Sequence, residues 1–285
     1  MNMPGFSWSR FLNRPEENRV FIAGIVNVTP DSFSDGRGWI DTNERIDFAL
    51  QLLDEGADLL DLGGESTRPG ALEVPAEEEI RRLEPVISGI LSARPGTVMS
   101  IDTRHASTAC RALQAGAKII NDVSGLQFDP AMAAVIAEYQ AGVILTHSTA
   151  VPEIMQQSDQ VIAHDAVAVV KKELEKLLAT ARSNGLKDDQ LMLDVGIGFG
   201  KTRAANYELL RHAGELERFF ALPFCWGVSR KSLFKSTPDT MEKRIASSLA
   251  AAVKLSQQKV SLLRVHDVAA TAAALATAAE LADGL

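Results

Sequence analysis

The sequence contains little cysteine and no excess of basic residues, and both absences exclude whole classes of protein. Its 285 residues include two cysteines, Cys110 and Cys225, which lie far apart in apolar segments. We therefore expect buried free thiols rather than a disulfide framework or a cysteine-ligated metal. The formal net charge of -8 excludes a general nucleic-acid binder, because that function needs a basic face. A small anionic ligand is still compatible with this charge, since a few clustered Arg and Lys residues suffice to bind one.

Long apolar runs are absent as well. None approaches the length of a membrane span, and the first residues lack the apolar core of a secretory signal. We expect a cytoplasmic protein without a membrane partner, in which residues 1–18 form a surface arm and residues 19–285 form one domain. The chain is 46% hydrophobic, which is enough to bury a large core.

Eight short apolar runs alternate with helical patterns along the chain. The runs are rich in Val, Ile and Leu, as expected of parallel strands that are covered on both faces. They span 21–27, 57–63, 97–102, 117–122, 142–147, 191–196, 222–229 and 260–266. Apolar residues at three- and four-residue spacing predict helices over 44–55, 77–91, 106–115, 131–138, 164–182, 204–212, 241–255 and 269–281.

This β-then-α rhythm predicts a single (β/α)8 TIM barrel with its active site at the C-terminal ends of the strands. A doubly wound open sheet is the alternative. It normally has fewer strands and a glycine-rich turn after the first one, and the residues after Asn27 are not glycine-rich.

Nearly every predicted strand ends in polar residues. They are Asn27, Asp61 with Glu65, Asp102, Asn121 with Asp122, His147, Asp194, Ser229-Arg230-Lys231, and Arg264 with His266. A single carboxylate such as Asp61 or Asp122 could simply cap the next helix. All of them together would meet at one mouth, where so many polar groups are costly without partners.

These groups divide by chemistry. Asp102, Asn121 and Asp194 supply acceptors and an amide for a heterocycle with an N–H edge. The cations suit a pyrophosphate or a carboxylate. They are Arg68, Arg230, Lys231, Arg264 and His266. Two glycine-rich loops, at 63–70 and 196–201, are either mobile ligand loops or plain flexible connections.

Two ten-residue segments resemble the signatures of dihydropteroate synthases, namely NVTPDSFSDG at 27–36 and DLGGESTRPG at 61–70. Shorter blocks at 100–103, 120–123, 229–232 and 264–267 resemble further family blocks in the same order. The resemblance implies that the chain joins 6-hydroxymethyl-7,8-dihydropterin diphosphate to p-aminobenzoate and releases pyrophosphate, with Mg²⁺ as cofactor. It also implies a homodimer, for which the alanine-rich last helices are candidate interfaces.

The resemblance also implies a role for each matching residue. Asp102, Asp194 and Lys231 would be catalytic and would bind the pterin. Asn27 would bind the metal. The remaining substrate-binding residues would be Asn121 for the pterin, Arg264 and His266 for the diphosphate, Thr67, Arg68 and Ser232 for p-aminobenzoate, together with Phe199 and Gly227.

The sequence departs from the family pattern at three places. The segment 147–152 lacks the usual Met and Gly, Val195 replaces a proline, and Lys235 replaces a small residue. Two other hypotheses therefore stay open. One is a pterin-binding paralogue with altered or lost second-substrate activity. The other is a methyltetrahydrofolate-binding barrel of the methyltransferase type, which has no use for the cation cluster at 229–232.

Overall fold

The computed structural model describes residues 5–13, 19–29, 41–65, 73–149, 161–234 and 239–282. Eight parallel strands pair in chain order, and the last pairs with the first to close a barrel. They are β1 Phe21–Asn27, β2 Leu59–Gly63, β3 Met99–Asp102, β4 Ile119–Asp122, β5 Gly142–Thr146, β6 Leu191–Asp194, β7 Phe224–Trp226 and β8 Leu262–Val265. Closure confirms the TIM barrel and excludes the open sheet.

Helices follow the strands around the outside of the barrel. They are α1 Trp8–Leu12, α2 Thr42–Asp54, α3 Ala76–Ala93, α4 Ala106–Gln114, α5 Met132–Tyr139, α6 Ala166–Ser183, α7 Arg203–Arg211, α8 Ala213–Phe220, α9 Met241–Gln257 and α10 Val268–Ala282. The helical patterns of the sequence predicted eight of these and missed α1 and α8. The sequence did not indicate α8 as a separate helix, because only His212 separates it from α7.

The strands carry two apolar layers, one inside the barrel and one beneath the helices. The inner layer contains Phe21, Ala23, Leu59, Ile119, Ile144, Met192, Cys225 and Leu262. Side chains alternate along a strand, so residues two positions apart share a side. Asp61, Asn121, Asp194 and Arg264 each lie two residues after a member of the inner layer. The fold therefore directs them to the barrel axis at its C-terminal end.

The N-terminal segment differs from the expected surface arm. Trp8 is only 1% exposed and packs with the inner layer near the starts of the strands. It lies edge-on to Phe6 and Phe11, and Ser7 caps α1 while donating to Asp189 at 2.8 Å. The burial of this indole corrects the surface assignment for the described part of the arm. The boundary between 1–18 and 19–285 stays a prediction.

The cysteines are free, as expected. Cys225 is buried, and burial raises the pKa of its thiol well above the usual value. Cys110 is only partly buried, so the expected full burial is wrong for it. None of the helices in the described ranges combines the length and apolar character that crossing a lipid bilayer requires.

Candidate active site

Asp61 is the centre of a hydrogen-bond network in the mouth of the barrel. Its side chain is buried and accepts from Ser100 Oγ at 2.5 Å, from Asn121 Nδ2 at 3.3 Å and from Arg264 Nε. These contacts join β2, β3, β4 and β8. Because its oxygens are occupied by protein donors, Asp61 orients other residues rather than offering an acceptor to a ligand. The sequence alone did not distinguish this role from helix capping.

Asp102 presents the opposite situation. Its Oδ2 accepts from Arg264 Nη2 at 2.7 Å, whereas its buried Oδ1 has no hydrogen-bond partner among the described residues. Burial raises the pKa of Asp102 to about 8, with Arg264 opposing the shift and Asp61 adding to it. An orphaned carboxylate oxygen in a cavity is costly unless a ligand donor reaches it. Asp102 Oδ1 is therefore a candidate ligand acceptor.

Arg264 lies between these two carboxylates. Burial lowers the pKa of its guanidinium, but Asp61 and Asp102 outweigh that effect and hold the pKa above its usual range. His266 lies two residues further on, and its Nδ1 is 3.0 Å from Ser229 Oγ. Because β8 ends at Val265, alternation along the strand does not by itself place His266, whose side chain lines a pocket with Arg230 and Asp267.

Asp194 and Lys231 form the opposite wall. Asp194 is 8% exposed, and its Oδ1 accepts from the Gly196 amide at 2.7 Å. Burial raises the pKa of Asp194, against the opposing effects of that amide and of Lys231. Lys231 Nζ lies 4.8 Å from the centroid of the Phe199 ring, and burial lowers its pKa to about 8. A Cβ at Gly227 would come within 4.0 Å of Asp194 Oδ2, so a larger residue there would narrow the cavity.

Asn27 ends β1 at the same mouth and is half-buried. Its carbonyl oxygen accepts from Arg45 Nη1, and Arg45 Nη2 donates to the Thr29 carbonyl at 2.8 Å. This helix-borne arginine holds the root of the first signature segment. Ser232 is exposed in a short 3-10 turn, Ser232–Phe234. Of the other predicted residues, Thr67, Arg68 and Lys235 lie outside the described residues.

Four polar groups near the strand ends have partners outside the network of Asp61 and Arg264. Asp122 accepts from Ser124 and Leu126 and so caps the turn that follows β4. Arg230 pairs with Asp267 at 2.5 Å, and its expected place among the ligand cations stays a prediction. The other two point into neighbouring structure. Glu65 pairs with Arg104 at 2.9 Å, and His147 contacts Lys201 and Glu173.

The glycine-rich loop after β6 approaches the protein itself. Gly196 and Gly200 both have positive φ, at 64° and 58°. A Cβ added at Gly196 would lie 1.9 Å from the His147 carbonyl oxygen, and one added at Gly200 would lie 1.8 Å from Thr149 Oγ1. The loop also ends in the buried Lys201, a residue that sequence reasoning left unassigned. Its only sequence signal was a lysine closing a glycine-rich turn.

Comparison with known proteins agrees with this geometry. The family model for pterin binding enzymes matches residues 23–266. The dihydropteroate synthase of Synechocystis sp. is 38% identical over 257 residues, covering 89% of this chain and 87% of that protein. A probable bifunctional folylpolyglutamate synthase/dihydropteroate synthase of Haloferax volcanii is 41% identical over 263 residues. That match covers 92% of this chain but 30% of the larger protein.

Solved structures agree as well. The Yersinia pestis dihydropteroate synthase in a sulfonamide complex superposes with a TM-score of 0.86 at 36% identity, covering 93% of this chain and 95% of that one. The Xanthomonas albilineans dihydropteroate synthase with 4-aminobenzoic acid gives 0.82 at 39% identity, covering 93% of each chain. The chain therefore belongs to the family of pterin-binding enzymes.

Proposed function

We propose that this chain is a dihydropteroate synthase, a transferase that joins 6-hydroxymethyl-7,8-dihydropterin diphosphate to p-aminobenzoate and releases pyrophosphate. The proposal rests on one observation: the mouth of the barrel contains both an acceptor for a heterocycle and a cation for an anionic group. A buried acceptor, Asp102 Oδ1, belongs to the carboxyl group whose other oxygen accepts from the Arg264 guanidinium, and His266 lies two residues further along the chain. Such a pocket suits a flat heterocycle that carries an anionic leaving group.

The pterin lies, in this proposal, between Asp102 and Asp194. Its ring N–H and amino groups donate to these carboxylates, and the Asn121 amide reads the same edge. Lys231 donates to a ring acceptor from beside the Phe199 face. Gly227 has no side chain, so it leaves room for the pterin next to Asp194.

The diphosphate lies against Arg264 and His266. Mg²⁺ is usually bound through one or two protein oxygen ligands, with substrate phosphates and water completing its shell. The side-chain oxygen of Asn27, at the end of β1 in the same mouth, fits that requirement. Asn27 would hold the ion there, where its charge would offset the negative charge of the leaving pyrophosphate.

The reaction breaks the bond from the pterin methylene carbon to the diphosphate oxygen and forms a carbon–nitrogen bond to the arylamine, which loses a proton. Departure of pyrophosphate leaves a cation that is delocalised into the ring. Asp102 and Asp194 stabilise that charge, and a positive charge beside them in turn favours the ionised form of both carboxyl groups. The amine needs positioning more than activation, and we assign this task to Thr67, Arg68 and Ser232.

One departure from the family pattern leaves the charged groups of the site intact and so favours an active enzyme over the paralogue. Val195 is fully buried in the apolar layer outside the barrel interior, whereas Asp194 before it keeps its contact with the Gly196 amide. Ala150 and Lys235 lie outside the described residues. The cations of the mouth also distinguish the chain from a methyltetrahydrofolate-binding barrel, whose ligand has no diphosphate to bind.

A pyrophosphate-release assay tests the proposal. The purified chain is incubated with the pterin diphosphate and Mg²⁺, with and without p-aminobenzoate. Release that depends on both substrates is expected. Tight pterin binding without p-aminobenzoate-dependent release would instead identify the paralogue, and absence of pterin binding would refute the assignment.

We further propose a cytoplasmic homodimer that binds small molecules rather than nucleic acid or membranes. The charge of -8 supports the ligand class. The last helix supports the dimer, because α10 is alanine-rich and has only Val268 and Thr271 as its buried residues. Light scattering on the purified protein should give twice the chain mass, and the mass of one chain would exclude the dimer.

A further inference from the structure

Lys201 is a buried lysine that the reaction described above does not use. Its side chain is 4% exposed and lies at the end of the glycine-rich loop after β6. Nζ is 2.9 Å from His147 Nδ1, 3.0 Å from the Gly196 carbonyl oxygen and 2.8 Å from the Phe199 carbonyl oxygen. An ammonium group has three protons to donate, so these acceptors use all of them.

The lysine determines the state of its histidine neighbour. Because Lys201 donates to Nδ1, the ring proton of His147 is on Nε2, which donates to the Glu173 carboxylate on α6. Burial and the charge of Lys201 lower the pKa of His147, and the ring is therefore neutral. The chain Glu173–His147–Lys201 connects a partly exposed carboxylate on the surface to the interior beneath the mouth.

The loop that Lys201 holds touches both charged groups of the pterin wall. The Gly196 amide donates to Asp194 Oδ1 at 2.7 Å. The Phe199 ring lies under Lys231 Nζ, and a Cβ at Gly198 would be 3.6 Å from Lys231 Cδ. Lys201 donates to the carbonyl oxygens of these same two residues, Gly196 and Phe199. Movement of this loop therefore moves Asp194 and Lys231 together.

The charge of the lysine is set by several neighbours. Burial lowers the pKa of Lys201 to about 7, and Lys231 adds to this effect. The carboxylates of Asp194 and Glu173 oppose it. A neutral side chain of the same volume would leave His147 Nδ1 and the Phe199 carbonyl oxygen without this donor, and the Gly196 carbonyl oxygen would keep only the Phe199 amide at 3.0 Å. Acceptors that lose a donor in the interior are costly.

We propose that Lys201, oriented by His147 and Glu173, is a positioning residue that fixes the 196–199 loop and thereby places Asp194 and Lys231 for the pterin. This inference rests on the proposed function. It assigns a role to a residue to which the proposed reaction gives none.

The first test compares Lys201→Met with Lys171→Met. Lys171 is a lysine of α6 that pairs with Glu215 at 2.8 Å on the outer surface, so it controls for loss of a lysine. We expect the affinity of Lys201→Met for the pterin diphosphate to fall at least about tenfold in calorimetry. Inorganic pyrophosphate should bind this variant as it binds the wild type, because Arg264 and His266 are untouched.

Unchanged pterin affinity in Lys201→Met would overturn the inference. Failure of the wild-type chain to bind the pterin diphosphate would refute the proposed function instead, so the two failures are distinguishable. Equal losses of pterin and pyrophosphate affinity would also overturn it, because they would indicate general damage to the barrel.

A second pair of variants keeps the test decisive if Lys201→Met does not fold. In His147→Asn, the amide oxygen can replace Nδ1 as an acceptor for Lys201, whereas His147→Leu removes the acceptor. We expect the KM for the pterin substrate to stay near the wild-type value in the first variant and to rise in the second. The KM for p-aminobenzoate should stay unchanged in both. Equal effects of the two substitutions would contradict the positioning role.

Discussion

Replacement of Arg264 by methionine tests whether one cation holds the mouth together. Arg264 contacts Asp61 and Asp102, whose side chains are only 1% and 4% exposed. Removing one partner of a buried ion pair leaves uncompensated charge and costs about 3–5 kcal/mol. We expect a loss of this size in the free energy of unfolding, measured by urea denaturation at neutral pH.

A surface arginine supplies the matched control. Arg111 pairs with Glu84 at 2.5 Å, but their side chains are 54% and 34% exposed. An exposed pair of this kind contributes about 0–1 kcal/mol, so Arg111→Met should have little effect. Comparable losses in the two variants would refute the reasoning, because they would mean that the buried carboxylates do not need Arg264.

The pH dependence provides an independent check on the same variant. Without the guanidinium, the folded-state pKa of Asp102, which burial already raises to about 8, should rise further. A carboxyl group whose folded pKa is raised stabilises the fold below its unfolded pKa, and this contribution is lost as pH rises through the folded value. The part of the Arg264→Met penalty that comes from Asp102 should therefore shrink as the pH falls through the higher pKa of the variant toward about 8, and should stay small below that pH. A penalty that grows on acidification would contradict the assignment of unpaired carboxylates.

The remaining predictions concern the ligands. Asp194→Asn should nearly abolish turnover, because the amide lacks the charge that stabilises the pterin cation. Thermal unfolding should stay close to wild type, since the amide has the same size. Wild-type turnover in this variant would remove Asp194 from the mechanism. A crystal grown with sulfate should hold the anion between Arg264 and His266, and an anion bound only elsewhere would contradict that site. Arg68→Ala should weaken p-aminobenzoate binding and spare the pterin. Calorimetry should also show that p-aminobenzoate binds only after pterin and pyrophosphate are present, and tight binding to the empty enzyme would refute this order.

The sequence by itself determined the architecture and the residue classes of the site. All eight strands and eight of the helices followed from apolar runs and three- and four-residue spacing, because these patterns report local burial. The chain order of βα units also placed the polar strand ends at one end of the barrel. Asp102, Asp194, Lys231 and Arg264 were selected for that reason.

Only the tertiary structure decided which of these polar groups meet. Asp122 and Asp61 look alike at a strand end, yet one caps its own turn and the other joins four strands. The partners of Lys201 lie 54 and 28 positions away, at His147 and, through the imidazole, at Glu173. Alternation along a strand tells which side a residue faces, but not which distant side chain it meets. That choice depends on the register between strands and on the packing of helices around the closed barrel, which no local pattern encodes.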